Sequence, residues 1–305
     1  MKRDFLAIPD FTREELIETI YLAKELKMLT KFGKCPKPLE GKSVGLIFHK
    51  ASLRTRISFE VGVAQLGGNA IYITDNEIKL GQRETIHDAA IVLSRYLGMI
   101  MIRTFNHNDV VELAKYATVP VINGLTDLLH PCQVVCDLLT VLEHKGRLEN
   151  LKIAYIGDGN NMTNSWLNAS KLLKLDLRIG TASSCEPDKN ILKEAKKAGM
   201  SRITLTNDPK EAVKDADVIY TDVWASMGQK DQIEKKERLL KAFQLNAKLL
   251  KYANENAIVM HCLPAERGRE ITDEVMDGKQ SVVFDEAENR LHGQKAIMMK
   301  LLNVI

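Results

Sequence analysis

The feature that most restricts the fold of this chain is a regular alternation of short apolar runs with amphipathic helical stretches. A strand followed by a helix and then by another strand is typical of βαβ units, which build parallel sheets with helices on both faces. The predicted strands of the first half cover residues 44–48, 70–73, 99–102 and 119–122. Those of the second half cover residues 152–156, 177–179, 203–206, 218–220, 258–260 and 282–284.

A long predicted helix over residues 131–148 separates the two sets of strands. The chain has 305 residues, which is enough for two domains with a core each. We therefore expect an α/β protein with two doubly wound domains, each a central parallel sheet with helices on both faces, joined by interdomain helices. A further helix is predicted over residues 12–30, and the last helical stretch, residues 295–301, could pack on either domain.

The charge balance argues against two classes of partner. The chain has 43 Lys and Arg residues against 40 Asp and Glu residues, a net charge of +3 that does not favour nucleic acid or a membrane surface. No apolar run approaches the length of a membrane span and the first residues do not resemble a signal peptide, so we expect a cytoplasmic protein. The five cysteines are odd in number and scattered, which predicts free thiols: Cys35, Cys132, Cys136, Cys185 and Cys262.

Polar residues follow three predicted strands of the first half. The segment 52–56, Ser-Leu-Arg-Thr-Arg, comes after the first strand and opens a helix, Arg103 follows the third strand, and His130 and Gln133 follow the fourth. Guanidinium groups and free N–H groups at a helix N-terminus make an anion site. The alternative is that the serine only caps the helix and that the arginines are solvated. Together, the three strand ends suit an anion with a carbonyl group to polarise.

The strand ends of the second half carry different chemistry. Asp158 and Asn161 follow its first strand, Asp222 and Ser226 follow its fourth, and Cys262 follows its fifth. A carboxylate, amides and a thiol suit a zwitterionic amine. The two halves are therefore expected to hold two substrate sites that face each other across a cleft.

Spacing disfavours two other kinds of site. Gly157 and Gly159 follow a strand, as in a dinucleotide site, but the third glycine of that motif is lacking. The histidines and cysteines match no common zinc spacing, and Cys132 and Cys136 are more typical of packing residues on one helix face. Trp224 stays open between a core role and a site role.

With these motifs assembled, the chain resembles the aspartate/ornithine carbamoyltransferase family, and within it the ornithine branch. Residues 54–56 match the family's S-T-R-T-R phosphate loop, and residues 130–133 match its H-P-x-Q motif. Residues 222–228 and 261–264 match two motifs that mark the ornithine branch. The resemblance covers nearly the whole chain in the right order.

The resemblance implies a role for individual residues. Those that bind carbamoyl phosphate are Ser52, Leu53, Arg54, Thr55, Arg103, His130, Gln133, Cys262, Leu263 and Arg290. Those that bind ornithine are Asn161, Asp222, Ser226 and Met227. Those that carry the catalysis are Arg103, His130, Cys262 and Asp222.

The same resemblance implies the reaction, which is transfer of a carbamoyl group from carbamoyl phosphate to the δ-amine of ornithine. No metal or cofactor is expected, because the leaving group is already activated. Either Cys262 or the leaving phosphate can take the amine proton, and the sequence does not decide between them. Two alternatives are a carbamoyltransferase for another amine, such as putrescine, and a catalytically silent binding or regulatory relative.

The implied organisation is a carbamoyl-phosphate-binding domain over residues 1–146 and an ornithine-binding domain over 147–290, with residues 291–305 packing back on the first. The implied assembly is a homotrimer or a multiple of trimers, with sites near the subunit interfaces. Two positions depart from the family pattern. Leu53 replaces a threonine of the phosphate loop, and Lys79 stands where many members have a glutamine that reaches a neighbouring subunit's phosphate.

Overall fold

The computed structural model describes residues 2–225 and 233–302. The chain divides into two compact units, one formed by Met1–Leu139 with Glu288–Ile305 and the other by Thr140–Ala287. The strands are β1 (Ser43–Phe48), β2 (Asn69–Thr74), β3 (Met99–Arg103), β4 (Val121–Leu125), β5 (Lys152–Ile156), β6 (Asp176–Gly180), β7 (Arg202–Thr206), β8 (Val218–Thr221) and β9 (Ile258–His261).

The helices match most of the amphipathic stretches that the sequence shows. They are α1 (Arg13–Lys31), α2 (Leu53–Gln65), α3 (Asp75–Ile78), α4 (Ile86–Tyr96), α5 (His107–Tyr116), α6 (Pro131–Lys145), α7 (Asn161–Ala169), α8 (Lys189–Ala198), α9 (Pro209–Val213), α10 (Ile233–Leu240), α11 (Ala247–Leu250), α12 (Asp273–Met276) and α13 (Val283–Leu301). Short 3₁₀ helices cover Ile8–Asp10, Ser183–Cys185 and Lys241–Phe243.

The first unit is built on a four-stranded parallel sheet in the order β2-β1-β3-β4. All residues of β3 and β4 are buried, as expected for a parallel sheet with helices on both faces. The strand order reverses at β1, because its two neighbours are β2 and β3. In such sheets, ligands bind beyond the carboxyl ends of the strands at this reversal.

The fourth strand lies further along the chain than the sequence predicts. The prediction placed it at residues 119–122, whereas β4 begins at Val121. Pro120 has no N–H to give to a strand ladder, so the regular pairing starts after it. Asn123 therefore belongs to the strand and not to the loop that follows, and its Nδ2 donates to the Leu6 carbonyl at 2.9 Å.

The second unit is built on a five-stranded parallel sheet in the order β7-β6-β5-β8-β9. The order reverses at β5, which lies between β6 and β8. Trp224, which the sequence left open, is 4% exposed and packs in the apolar core of this unit with Ile156, Phe243 and Val259.

The predicted strand at residues 282–284 is wrong. Val283 begins α13, and only a single bridge between Val259 and Ser281 joins the preceding loop to β9. A short apolar run is compatible with a buried strand or with one turn of helix, and periodicity cannot separate the two. Here Val283 is buried while Phe284 is 65% exposed.

Both unit boundaries fall inside helices. The first lies within α6 and the second within α13, so the expectation of helices that join the two domains is confirmed. Cys132 and Cys136 are fully buried on α6, as expected for packing residues, and the five cysteines are free thiols. Among the described residues, no helix combines the length and the apolar character needed to cross a bilayer.

Candidate active site

The polar residues predicted for the first unit lie at the carboxyl ends of its strands. Ser52 is the N-cap of α2, which follows β1, and Arg103 is the last residue of β3. His130 immediately precedes α6, which follows β4. The strand reversal at β1 therefore explains why residues so far apart in sequence reach one end of the sheet.

Three side chains converge on the hydroxyl of Thr55. Arg103 Nη1 donates to Thr55 Oγ1 at 3.2 Å and Arg290 Nη2 donates to it at 2.8 Å. Ser52 Oγ is hydrogen bonded to the same oxygen at 3.1 Å. Thr55 is fully buried, and the two arginines are 6% and 3% exposed. Two buried guanidinium groups on one neutral hydroxyl make this end of the sheet strongly electropositive, which favours an anionic ligand.

A series of hydrogen bonds between side chains holds Arg290 in place. Its Nη1 donates to Gln133 Oε1 at 2.8 Å, and Gln133 Nε2 donates to Asp137 Oδ1 at 2.8 Å. Gln133 and Asp137 are one turn apart on α6, and both are fully buried. Because the amide oxygen faces the arginine and the amide nitrogen faces the aspartate, each polar end of Gln133 is matched by a charged group.

His130 lies in the same electropositive surroundings. Burial lowers the pKa of its imidazole well below the ordinary value of 6.5, and the positive charges of Arg290, Arg103 and Lys50 lower that pKa further. The imidazole is therefore neutral near pH 7. A neutral imidazole still carries one N–H, so it can donate a hydrogen bond without adding a charge.

Lys50 is a basic residue of this region that the sequence analysis missed. Its side chain is 6% exposed, and its Nζ lies 2.9 Å from Asp127 Oδ1 and 5.3 Å from the centre of the Phe105 ring. Lys50 lies two residues after β1, but its burial and its pairing with Asp127 are set by tertiary contacts, which spacing in the sequence does not report.

Segment 52–56 shows features of both interpretations that the sequence left open, an anion site and a simple helix cap. The Ser52 hydroxyl does cap α2, by accepting from the Thr55 N–H at 3.4 Å. Arg56 is exposed, pairs with Glu60 at 2.9 Å and lies 3.8 Å over the Tyr72 ring, so it is turned away from the cluster. Arg54 is half-buried, and Leu53 is 72% exposed.

Asp222 is the centre of the polar group in the second unit. Its Oδ1 accepts from the Val223 N–H at 2.8 Å and from Cys262 Sγ at 3.1 Å. Its Oδ2 accepts from Asn160 Nδ2 at 2.7 Å. The carboxylate is 7% exposed, and it follows β8 directly, beside the reversal at β5. A buried carboxylate at such a strand end suits a ligand with an ammonium group.

His261 supports the backbone around Cys262 and not a metal ion. Its Nδ1 accepts from the Leu263 N–H at 2.9 Å, so the proton of the neutral ring lies on Nε2, which faces Glu270 at 3.1 Å. The ligand atoms of Asp222, His261 and Cys262 lie within 4.8 Å of one another, which would admit a metal ion. Both ring nitrogens are already engaged, however, so this set does not fit a metal ligand group.

The glycine pair after β5 serves the chain's own packing. A Cβ on Gly159 would lie 2.3 Å from the Pro187 nitrogen, so only glycine allows the two backbones to approach this closely. Asp158, between the two glycines, pairs with Lys236 at 2.6 Å. The loop is thus packed against the Pro187 backbone at Gly159 and paired with Lys236 at Asp158.

Comparisons with known proteins agree with this arrangement. Residues 3–143 match the family model described as the carbamoyl-P binding domain of aspartate/ornithine carbamoyltransferase, and residues 149–301 match its Asp/Orn binding domain. The chain belongs to the aspartate/ornithine carbamoyltransferase family. The resemblance that the motifs suggested is confirmed.

Two similar proteins and one solved structure in the carbamoyltransferase family are named ornithine carbamoyltransferase. The chain is 51% identical to the ornithine carbamoyltransferase of Syntrophus aciditrophicus over 302 residues, 99% of this chain and 100% of that protein. It is 51% identical to the ornithine carbamoyltransferase of Thermococcus kodakarensis over 307 residues, 99% of this chain and 97% of that protein. The solved ornithine carbamoyltransferase structure from Pyrococcus furiosus aligns with a TM-score of 0.95 and 48% identity, and covers 100% of this chain and 98% of that one.

The carbamoyltransferase residues that the sequence implied fall into two groups. In the first unit, hydrogen bonds bring together Ser52, Thr55, Arg103, Gln133 and Arg290. In the second, they bring together Asp222 and Cys262, and the next residue, Leu263, has a positive φ of 56°. Asn161 is 7% exposed at the start of α7.

Some carbamoyltransferase positions are not brought into either group. Ser226 and Met227 lie outside the described residues. Lys79, one of the two departures, is exposed at the C-terminal end of α3 with a φ of 39°. Asn160 was not predicted, although it contacts Asp222 directly, because two consecutive asparagines are indistinguishable by chemistry alone.

Proposed function

We propose that this protein transfers the carbamoyl group of carbamoyl phosphate to the δ-amine of L-ornithine, giving L-citrulline and phosphate. The neutral amine attacks the carbonyl carbon, the bond from that carbon to the phosphate oxygen breaks, and one amine proton passes to Cys262 or to the leaving phosphate. One observation carries the proposal. This member of the carbamoyltransferase family has both an electropositive cluster around Thr55 and a buried carboxylate, Asp222, with the thiol of Cys262 beside it.

The cluster of the first unit suits the carbamoyl phosphate end of the reaction. Arg103, Thr55 and His130 would donate to the carbonyl oxygen as it becomes an oxyanion, which is the oxyanion-hole form of electrostatic catalysis. The low pKa of His130 supports a role as a neutral donor and argues against a general acid near pH 7. Arg54, Ser52 and the N-terminus of α2 would hold the phosphate, with Leu53 contributing its backbone N–H.

The cluster of the second unit suits the amino acid. Asp222 would pair with the α-ammonium, and Asn161, Ser226 and Met227 would orient the α-carboxylate. Cys262, whose thiol donates to Asp222 at 3.1 Å, would lie beside the reacting amine. Cys262 and Leu263 would also contact the carbamoyl group. Either Cys262, after it gives its thiol proton to Asp222, or the leaving phosphate would accept the amine proton.

The organisation that we propose follows the family. Residues 1–146 would bind carbamoyl phosphate, with residues 291–305 packing on them, and residues 147–290 would bind ornithine. The working assembly would be a homotrimer or a multiple of trimers, and light scattering of the purified protein tests this directly. Five free cysteines are typical of a reducing compartment, which supports a cytoplasmic location.

Acceptor selectivity tests the proposed function. Putrescine shares the reacting amine of ornithine but lacks the α-carboxylate. The groups proposed to bind that carboxylate, Asn161, Ser226 and Met227, would then be left without a hydrogen-bond partner. Sites built around hydrogen bonds reject such analogues strongly. We expect ornithine to exceed putrescine by at least about a hundredfold in kcat/KM.

The assay is citrulline formation at saturating carbamoyl phosphate with a panel of amines. Comparable values for ornithine and putrescine would overturn the ornithine assignment and leave carbamoyl transfer intact. Absence of product with every amine would favour the silent binding protein instead.

A further inference from the structure

The amide of Asn160 connects the N-terminus of α7 to the carboxylate of Asp222. Asn160 is the N-cap of α7, and its Oδ1 accepts from the backbone N–H groups of Met162 at 2.9 Å and Thr163 at 3.4 Å. Its Nδ2 donates to Asp222 Oδ2 at 2.7 Å. The two ends of one amide therefore serve two different elements.

The orientation of this amide is fixed by its neighbours. The helix N-terminus presents only donors, so the amide oxygen must face it and the amide nitrogen must face Asp222. Tyr155 adds a third donor, since its hydroxyl lies 3.0 Å from Asn160 Oδ1. The reverse orientation would place an NH₂ group against three donors and an oxygen against a carboxylate.

Tyr155 is well placed to hold that amide still. The side chain is fully buried on β5, and its ring stacks on Tyr220 of β8 with a centroid distance of 5.7 Å. Burial and the negative charge of Asp222 raise the pKa of Tyr155 well above 10, so its hydroxyl stays protonated and remains a donor.

The contacts of Asp222 define what remains for a ligand. A carboxylate offers about four acceptor positions, two on each oxygen. In the described structure Oδ1 accepts from the Val223 N–H and from Cys262 Sγ, while Oδ2 accepts from Asn160. The remaining acceptor position is therefore on Oδ2, and the bond from Asn160 sets the direction in which it points.

We propose that Tyr155 and Asn160 form a positioning pair that aims Asp222 Oδ2 at the α-ammonium group of the acceptor amino acid. This inference rests on the proposed function, because it deepens the role of Asp222 in binding the amino acid. Neither residue touches the reacting amine in this picture. Their loss should weaken head-group binding and leave the carbamoyl phosphate half of the site unchanged.

The chain offers a matched control for Tyr155. Tyr220 is also fully buried, and it lies beside Tyr155 in the strand register. Its hydroxyl bonds to Glu286 Oε1 at 3.1 Å, whereas the hydroxyl of Tyr155 bonds to Asn160 Oδ1. Tyr155→Phe and Tyr220→Phe thus each delete one buried hydroxyl from stacked rings, but only the first deletes a bond to the positioning amide.

The first experiment compares these two variants with the wild-type enzyme. Tyr155→Phe should raise KM for ornithine about fivefold, the size expected for one neutral hydrogen bond, with kcat and KM for carbamoyl phosphate within about twofold. Tyr220→Phe should leave KM for ornithine within about twofold. Equal effects of the two variants on KM for ornithine would overturn the proposal, since a general loss of packing would act through both.

The second experiment separates helix capping from positioning. Asn160→Ser keeps a side-chain acceptor for the helix but removes the donor to Asp222. Calorimetric titration with L-norvaline, which has the ornithine head group and no side-chain amine, at saturating carbamoyl phosphate should show binding weakened by about tenfold or more. If the only effect of Asn160 were to weaken the attraction of the Asp222 carboxylate for an ammonium group, its removal would tighten norvaline binding. That result would refute the positioning role.

These readouts keep the two proposals apart. A wild-type protein that forms no citrulline would contradict the proposed function whatever the variants do. A wild-type protein that forms citrulline, with unchanged norvaline binding in Asn160→Ser, would contradict the positioning pair alone.

Discussion

Thr55 Oγ1 is the atom on which two buried arginines and a serine converge in the first unit. Arg103 and Arg290 each donate to this single oxygen, at 3.2 and 2.8 Å. Thr55→Val keeps the shape of the side chain but removes the oxygen, so both guanidinium groups lose one acceptor. We expect kcat/KM for carbamoyl phosphate to fall roughly 10- to 150-fold, which corresponds to the roughly 1.5–3 kcal/mol of a hydrogen bond to a charged group.

Ser58→Ala is the matched control for Thr55→Val. Ser58 lies on the same helix, and its hydroxyl bonds to the Arg54 carbonyl at 2.7 Å. This variant also removes one hydroxyl from α2, but it removes no acceptor from Arg103 or Arg290. Steady-state kinetics should show a near wild-type kcat/KM for Ser58→Ala. A Thr55→Val enzyme with the same kinetics as this control would show that the arginines do not depend on Thr55.

At the residue scale, the sequence indicates which chemistry is present better than it indicates which atom is used. Thr55, Arg103 and Asp222 could be proposed because each follows an apolar run and carries a reactive or charged group. Asn160 and Lys50 could not be selected in the same way. Their roles depend on where an amide or an ammonium group points, and this direction is set by tertiary contacts and not by spacing.

Lys50 links two elements that carry site residues. It follows β1, and its ion pair at 2.9 Å with Asp127 reaches the loop after β4. Lys50→Met should raise KM for carbamoyl phosphate by about three- to tenfold, because it removes a buried positive charge worth about 1 kcal/mol from an anion-binding cluster. Asp127→Asn should have little effect, because the asparagine oxygen still accepts from Lys50.

The comparison of the two Lys50-pair variants is the informative measurement. KM for carbamoyl phosphate is measured for each variant at saturating ornithine, and KM for ornithine serves as an internal reference. If Asp127→Asn raised KM for carbamoyl phosphate as much as Lys50→Met, the ion pair and not the charge of Lys50 would matter. That result would contradict an electrostatic role of the Lys50 ammonium group in anion binding.

At the element scale, hydrophobic patterning identifies most strands and helices but not all of them. Residues 44–48 and 152–156 are found as strands because parallel strands with both faces covered are continuous apolar runs. Residues 282–284 show the same pattern and yet begin α13. The choice there depends on tertiary contacts, since Glu286 of that helix accepts the His261 N–H at 2.8 Å.

At the scale of the whole molecule, the alternation of strands and helices is sufficient to predict two parallel sheets. The strand orders cannot be read from the alternation, yet they decide which strand ends carry a site, because β1 and β5 are the reversal points. The order of the motifs along the chain predicted the family, since motifs that are weak singly occur together and in sequence. The burial of His292, two residues after Arg290, had no signal in the sequence.

His292 should make the stability of the whole molecule depend on pH. Burial and the nearby positive charges of Lys295, Lys27 and Lys31 lower the pKa of His292 from 6.5 to about 3 in the folded protein. Its only acidic neighbour among the described ion pairs is Glu288, at 3.6 Å. In the unfolded chain the same imidazole binds a proton near pH 6.5.

Between pH 6.5 and about 3, the unfolded state therefore binds this proton and the folded state does not. Stability then rises with pH, so acidification through this window destabilises the protein by up to about 1.4 kcal/mol per pH unit for His292. From pH 7 to pH 5 the expected loss of stability from this residue is about 2 kcal/mol.

His292→Gln should remove that part of the pH dependence, whereas His87→Gln, at an exposed histidine of α4, should retain it. Urea unfolding of the three proteins at pH 7 and pH 5 measures the difference directly, and equal losses for wild type and His292→Gln would refute the assignment.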